Sequence, residues 1–202
     1  MHILLIHGLG RSPLSMAGMA QALRKAGHTT ELFGYTTVLE SFDQIAARLR
    51  DRFASIAKTG PYGVVSHSMG GILTRAALKN APFSLPAHVV MLAPPNQSPL
   101  AGQLAYRLLP FRWFSGQSGQ NLASADFYGQ LPQLSCPYTL VAGTGGPTGW
   151  ATPFGDRPND LIVSVEEVKM QPDDTVLEIP ALHSFIMYNK IAQQTAIAAF
   201  DE

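Results

Sequence analysis

Cysteine is almost missing from this chain. Cys136 stands alone among 202 residues, so no internal disulfide can form and a structural zinc site lacks its usual thiolates. Charge is scarce as well, at 14% of residues against about 25% in an average globular protein. The charge present balances, with 14 basic and 14 acidic residues. No basic run or aromatic-basic stripe appears, which excludes the electrostatic footprint of a nucleic-acid binder. No apolar run reaches the roughly 18 residues of a spanning helix, so no stable membrane insertion is expected. Residues 1–6 lack the basic leader, and the length of about 7–15 residues, of a secretory core. The six histidines are scattered, with no His-Glu-x-x-His and no tight His/Asp cluster, so no metal and no other cofactor is expected. From these absences the chain is expected to be soluble and, by default, cytoplasmic.

Apolar residues, by contrast, make up 46% of the sequence, and the length suits one domain, 1–202, around one sizeable core. Short apolar runs at 3–6, 29–35, 62–66, 87–92, 138–142 and 174–179 read as strands. Helical periodicity fills 14–26, 42–56 (capped by Ser41 and closed by Gly60-Pro61), the stretch after Ser68, and 185–200. Strands alternating with helices predict an α/β fold. Its sheet has about six mainly parallel strands, helices on both faces, and ligands at the carboxyl edge. Residues 96–135 are long for a connection. They carry Leu104, Leu108, Phe111, Trp113 and Phe114, and read either as a small helical insertion, cap or lid, or as an extension of the core.

The chain is organised around Ser66-His67-Ser68-Met69-Gly70-Gly71, where an apolar run stops in small residues and a helix begins at once. A serine with small residues two before and two after it fits a sharp strand-to-helix turn that presents its hydroxyl above the sheet edge. Ser68 is therefore the candidate nucleophile, and a mere helix N-cap is the bland alternative. A nucleophilic serine needs a base, and the base an orienting acid. His2, His28 and His88 lie at strand beginnings, the wrong edge, and His67 is expected to point to the opposite side of the turn. His183, after the last strand, is the candidate base. Among Asp156, Asp160, Glu166 and Glu167, Asp160 is chosen as acid because Leu161-Ile162-Val163 pins its backbone. Backbone N–H groups of Leu9 and Met69 are the expected oxyanion donors.

Gly8-Leu9-Gly10 after a first strand also resembles the start of a dinucleotide fingerprint. Pro13 stands at the third glycine position, however, Glu31 falls inside the second strand, and Ser68 and His183 go unexplained.

Taken together, His7-Gly8-Leu9-Gly10-Arg11-Ser12-Pro13, Ser66-His67-Ser68-Met69-Gly70-Gly71, Ala93-Pro94-Pro95-Asn96 and His183-Ser184-Phe185 resemble the α/β-hydrolase superfamily, in particular small bacterial lipases and esterases. The order of nucleophile, acid and histidine is the superfamily's order. Ser66 departs from its usual glycine, and Leu161 from the glycine that commonly follows the acid. The resemblance implies an α/β-hydrolase fold and carboxylic-ester hydrolysis of a small-molecule ester or lipid, without cofactor. Thioesterase, amidase, acyltransferase and non-catalytic binding protein remain open alternatives, because one nucleophile and oxyanion site can serve all the chemistries.

Overall fold

Ile3, Leu4, Leu5 and Ile6 are all buried. Successive strand residues point to opposite faces, so a strand buried throughout needs a layer of structure on each side. The computed structural model, which describes residues 1–97 and 124–201, provides those layers. Six strands, β1 (His2–Ile6), β2 (Thr29–Phe33), β3 (Tyr62–His67), β4 (His88–Leu92), β5 (Tyr138–Gly143) and β6 (Val176–Ile179), form one sheet in the order β2-β1-β3-β4-β5-β6. Every pairing is parallel. All carboxyl ends therefore share one edge.

Leu4, Ile6, Val64, Val89, Met91 and Leu140 face α2 (Phe42–Ala57) and α3 (Met69–Ala77). The alternate residues Ile3, Leu5, Val65, Val90, Leu92 and Val141 face α1 (Ala17–Lys25) and the closing helix (Lys190–Asp201). Each such side chain contributes about 1.5–3 kcal/mol by leaving water. Ser41 starts α2 through a capping box, its hydroxyl accepting from Gln44 N–H while the Gln44 carboxamide oxygen accepts from Ser41 N–H.

Several boundaries differ from the sequence expectation. The helix expected at 14–26 begins as a 3-10 turn, Pro13–Met16, with proline at its start, where the missing N–H costs no helical bond. The helix expected at 185–200 is broken at Asn189. A 3-10 turn, His183–Tyr188, ends there, and the Asn189 carboxamide oxygen accepts from Ile191 N–H at 2.8 Å to start the final helix. A short helix, Val165–Val168, was not anticipated, although Ser164-x-x-Glu167 signals it: Ser164 N–H donates to the Glu167 carboxylate at 2.8 Å. Of the expected insertion 96–135, residues 98–123, with Leu104, Leu108, Phe111, Trp113 and Phe114, lie outside the described residues.

The flanks of that stretch meet at Arg75 of α3, which is 4% exposed. Its guanidinium donates to the Asn96 carbonyl and carboxamide oxygens at 3.3 and 3.0 Å, and to the carbonyls of Leu131 and Pro132 at 3.2 and 2.9 Å. Burial pushes its pKa down to about 10. Among the described residues no helix is long and apolar enough to cross a membrane.

Candidate active site

β3 ends at His67 and α3 begins at Met69, so Ser68 alone makes the turn. It does so at φ 53, ψ −125, a region that costs a non-glycine residue about 1–3 kcal/mol. Neighbours hold it there: Ser68 N–H donates to the Leu92 carbonyl at 2.9 Å, and its own carbonyl accepts from Gly71 N–H at 2.9 Å. Gly70 is obligatory, since a Cβ there would lie 2.7 Å from the carbonyl oxygens of Ile6 and His7. Ser66 is fully buried, and its hydroxyl has no hydrogen-bond partner among the described residues. The residue departing from glycine at this position is therefore accommodated at some polar cost.

The turn delivers the Ser68 hydroxyl to His183. The Ser68 Oγ lies 2.9 Å from His183 Nε2, and His183 Nδ1 lies 2.7 Å from Asp160 Oδ2. A carboxylate oxygen accepts, so Nδ1 carries the proton and Nε2 is left to accept from the hydroxyl. Asp160 is 1% exposed, and its second oxygen accepts from the N–H groups of Ile162 and Val163 at 3.0 and 2.7 Å. The Asp160 carbonyl accepts from His183 N–H at 3.0 Å, so acid and base are joined through backbone as well as side chains. Leu161 takes φ 86 to close this turn, at the place where a glycine would be unstrained. Asp156 is exposed, and Glu167 is engaged at Ser164.

Leu9 adjoins Gly8, which approaches Ser68, and Met69 adjoins Ser68 itself. Leu9 follows Gly8, whose Cβ, if present, would lie 3.0 Å from the Ser68 Cβ. Met69 is the first residue of α3, where helical N–H groups have no intrahelical acceptor.

One expectation fails. His67 does not point away from the site: its Nε2 donates to the His183 carbonyl at 3.0 Å, and the two rings lie 4.8 Å apart. Burial, reinforced by the nearby His183, holds its pKa well below the ordinary histidine value, so the ring is neutral and carries its proton on Nε2. No local signal marks this contact, because the partner is 116 positions away. His28 and His88 do stand at the far edge, beside Asp201 and Thr139 respectively. Among the described residues no group of three or more His, Cys, Asp or Glu side chains is arranged to hold a metal.

The arrangement can move a proton from a hydroxyl to an imidazole fixed by a buried carboxylate, which is the requirement for acyl transfer. Comparison with known proteins agrees with the architecture. A family model described as "Alpha/beta hydrolase family" matches residues 3–191. No curated protein sequence matches. Among solved structures, the mature lipase BlEst2 of Bacillus licheniformis superposes with a TM-score of 0.69 at 21% identity, covering 97% of this chain and 89% of that one. A structure from work on the metagenome-derived lipolytic enzymes LipS and LipT gives 0.67 at 14% identity, covering 100% and 94%. The RedJ thioesterase of Streptomyces coelicolor gives 0.60 at 14% identity, covering 98% and 88%. At these identities the likeness speaks for the fold.

Proposed function

Since the chain belongs to the alpha/beta hydrolase family, we propose that it is a serine hydrolase that cleaves carboxylic esters through an acyl-enzyme. The observation that carries this reading is the unbroken chain Asp160–His183–Ser68, with links of 2.7 and 2.9 Å, ending at a serine held at φ 53.

In the first step His183 Nε2 takes the Ser68 proton while Oγ attacks the ester carbonyl carbon. Negative charge develops on the carbonyl oxygen, opposite the N–H groups of Leu9 and Met69; one such donor is worth about 3–4 kcal/mol of barrier. The proton then passes from His183 to the departing alkoxide, leaving the acyl group on Ser68. Water enters, gives its proton to Nε2 and attacks the acyl carbon, and collapse returns the proton to Oγ. Throughout, Asp160 keeps the Nδ1 proton in place and balances the imidazolium.

The same proposal treats residues 1–202 as one hydrolase unit with 96–135 as its insertion. It also places the chain in the cytoplasm, where the free, buried Cys136 stays reduced, which cell fractionation tests. Thioester cleavage is the second reading, favoured by the fold shared with RedJ. The ratio of kcat/KM on matched acyl esters and acyl thioesters decides between the two.

Reaction of the intact protein with a fluorophosphonate, followed by mass measurement, tests the nucleophile. A single adduct on the wild type and none on Ser68→Ala is the expected result. No adduct on a folded wild type, or an equal adduct on the variant, rejects the assignment.

A further inference from the structure

His7 directly follows β1 and is 1% exposed, and its two ring nitrogens face partners of opposite kind. Tyr35 N–H points at Nε2 from 3.4 Å; an amide N–H only donates, so Nε2 accepts. Nδ1 lies 2.9 Å from the Gly8 carbonyl oxygen; a carbonyl only accepts, so Nδ1 donates. Both contacts demand the same neutral tautomer. Tyr35 also fixes the ring plane, stacking on it at 4.1 Å between centroids and 8° between planes, while its hydroxyl donates to the His7 carbonyl at 2.8 Å.

The peptide that His7 grips is the one linking Gly8 to Leu9. In a planar trans peptide the carbonyl and the N–H point in opposite directions, so holding the Gly8 oxygen fixes the direction of Leu9 N–H. Arg11 N–H shares the same oxygen at 3.3 Å. An outside clamp is needed, because Gly8 has no side chain to pack and a glycine backbone turns freely. It can carry none, since a Cβ would lie 2.9 Å from His67 Nδ1 and 3.0 Å from Ser68 Cβ.

We propose that His7 is a positioning residue for the oxyanion site: through the Gly8 carbonyl, its Nδ1–H aims the Leu9 N–H at the oxygen that becomes negative when Ser68 attacks. This rests on the serine hydrolase reading and assigns a side chain that the triad leaves unused.

The test compares three variants on p-nitrophenyl acetate. His7→Leu removes the donor. His7→Asn restores it, since its amide nitrogen stands where Nδ1 stood. His7→Gln carries its amide one atom further out, toward Tyr35 N–H. Removing an oxyanion donor outright lowers kcat by about 10²–10³; loss of its aim in His7→Leu and His7→Gln is expected to lower kcat by about tenfold to a hundredfold with KM within about twofold. His7→Asn recovers most of that loss, although all three variants lose the Tyr35 stack and melt at similarly lowered temperatures. Phenylboronic acid, which forms a tetrahedral adduct on the serine, loses affinity in the same order as kcat. A merely structural histidine would leave Asn no better than Gln, and that result overturns the inference, as does kcat for Gln or Leu within about twofold of wild type. If His7→Leu fails to fold, the Asn and Gln pair still decides. A wild type that takes no fluorophosphonate removes the proposed function and this inference together, whereas a labelled wild type with equal Asn and Gln variants removes only the inference.

Discussion

Between His67 and Met69 a single residue carries the chain from strand to helix, whereas between β5 and β6 the chain runs from Thr144 to Thr175 before it returns to the sheet. Both stretches contribute to the candidate site, and both contain a side-chain-bearing residue at positive φ, Ser68 at 53 and Leu161 at 86. In the first, geometry comes from exclusion. Carbonyls of Ile6 and His7 press on Gly70, Pro94 on Gly71, and the loop at Gly8 on Ser68, so almost any added atom collides. In the second, geometry comes from attachment. Asp160 is held by the N–H groups of Ile162 and Val163 and by the bond between its own carbonyl and His183 N–H. A half built by exclusion tolerates little change, and a half built by hydrogen bonds can be loosened one bond at a time.

The largest effect expected on the attached half is Asp160→Asn. The amide can keep much of the turn but no longer enforces the Nδ1–H tautomer of His183, so kcat should fall by about 10⁴ while the melting temperature moves little. Steady-state kinetics beside a thermal melt reads both, and loss of folding in this variant would mean that the acid turn is as unforgiving as the elbow.

Acidification probes the excluded half. His7 and His67 both have lowered pKa values, each mainly through burial. Below about pH 6.5 the unfolded chain therefore binds protons that the folded chain refuses, and stability falls as pH falls, by up to about 1.4 kcal/mol per pH unit for each histidine. Urea midpoints between pH 7.5 and 5 should follow this slope, and His67→Gln should flatten it. An unchanged slope in the variant would remove His67 from the account.

The smallest effect separates the two strained residues. Leu161 is 46% exposed, and glycine relieves its positive φ, so Leu161→Gly should raise stability by up to about 1 kcal/mol, the relief being partly offset by glycine's greater freedom in the unfolded chain. Its kcat should stay within about twofold. A destabilised variant would show that the acid turn depends on packing as the elbow does.

What could be read from the sequence divides along the same line. Ser68 stands out because the turn it makes is written in its immediate neighbours, and β1 and β4 because four consecutive apolar residues admit few other structures. Ser41 announces α2 through Gln44. Position at the carboxyl edge selects His183, and Asp160 is singled out by the apolar Leu161-Ile162-Val163 behind it; the structure brings His183 to Ser68 and Asp160 to His183. The contacts of His7 with Tyr35 and of His67 with a carbonyl at the far end of the chain are not written locally. The break at Asn189 escapes periodicity because the apolar spacing continues across it, while the Asn189 side chain competes for the backbone. Val165–Val168 is too short for periodicity to register.

The guanidinium of Arg75 has a consequence for how such a chain can diversify. By binding Asn96 on one side and Leu131 and Pro132 on the other, it turns the stretch between them into a part with a standard fitting. Once two ends are held together, doubling the length of a flexible segment costs only about 0.6 kcal/mol. Replacements of quite different size and chemistry can thus be accommodated between these two anchors without disturbing the sheet. The length and composition of that one stretch can then change while the sheet and the residues along its carboxyl edge are inherited intact.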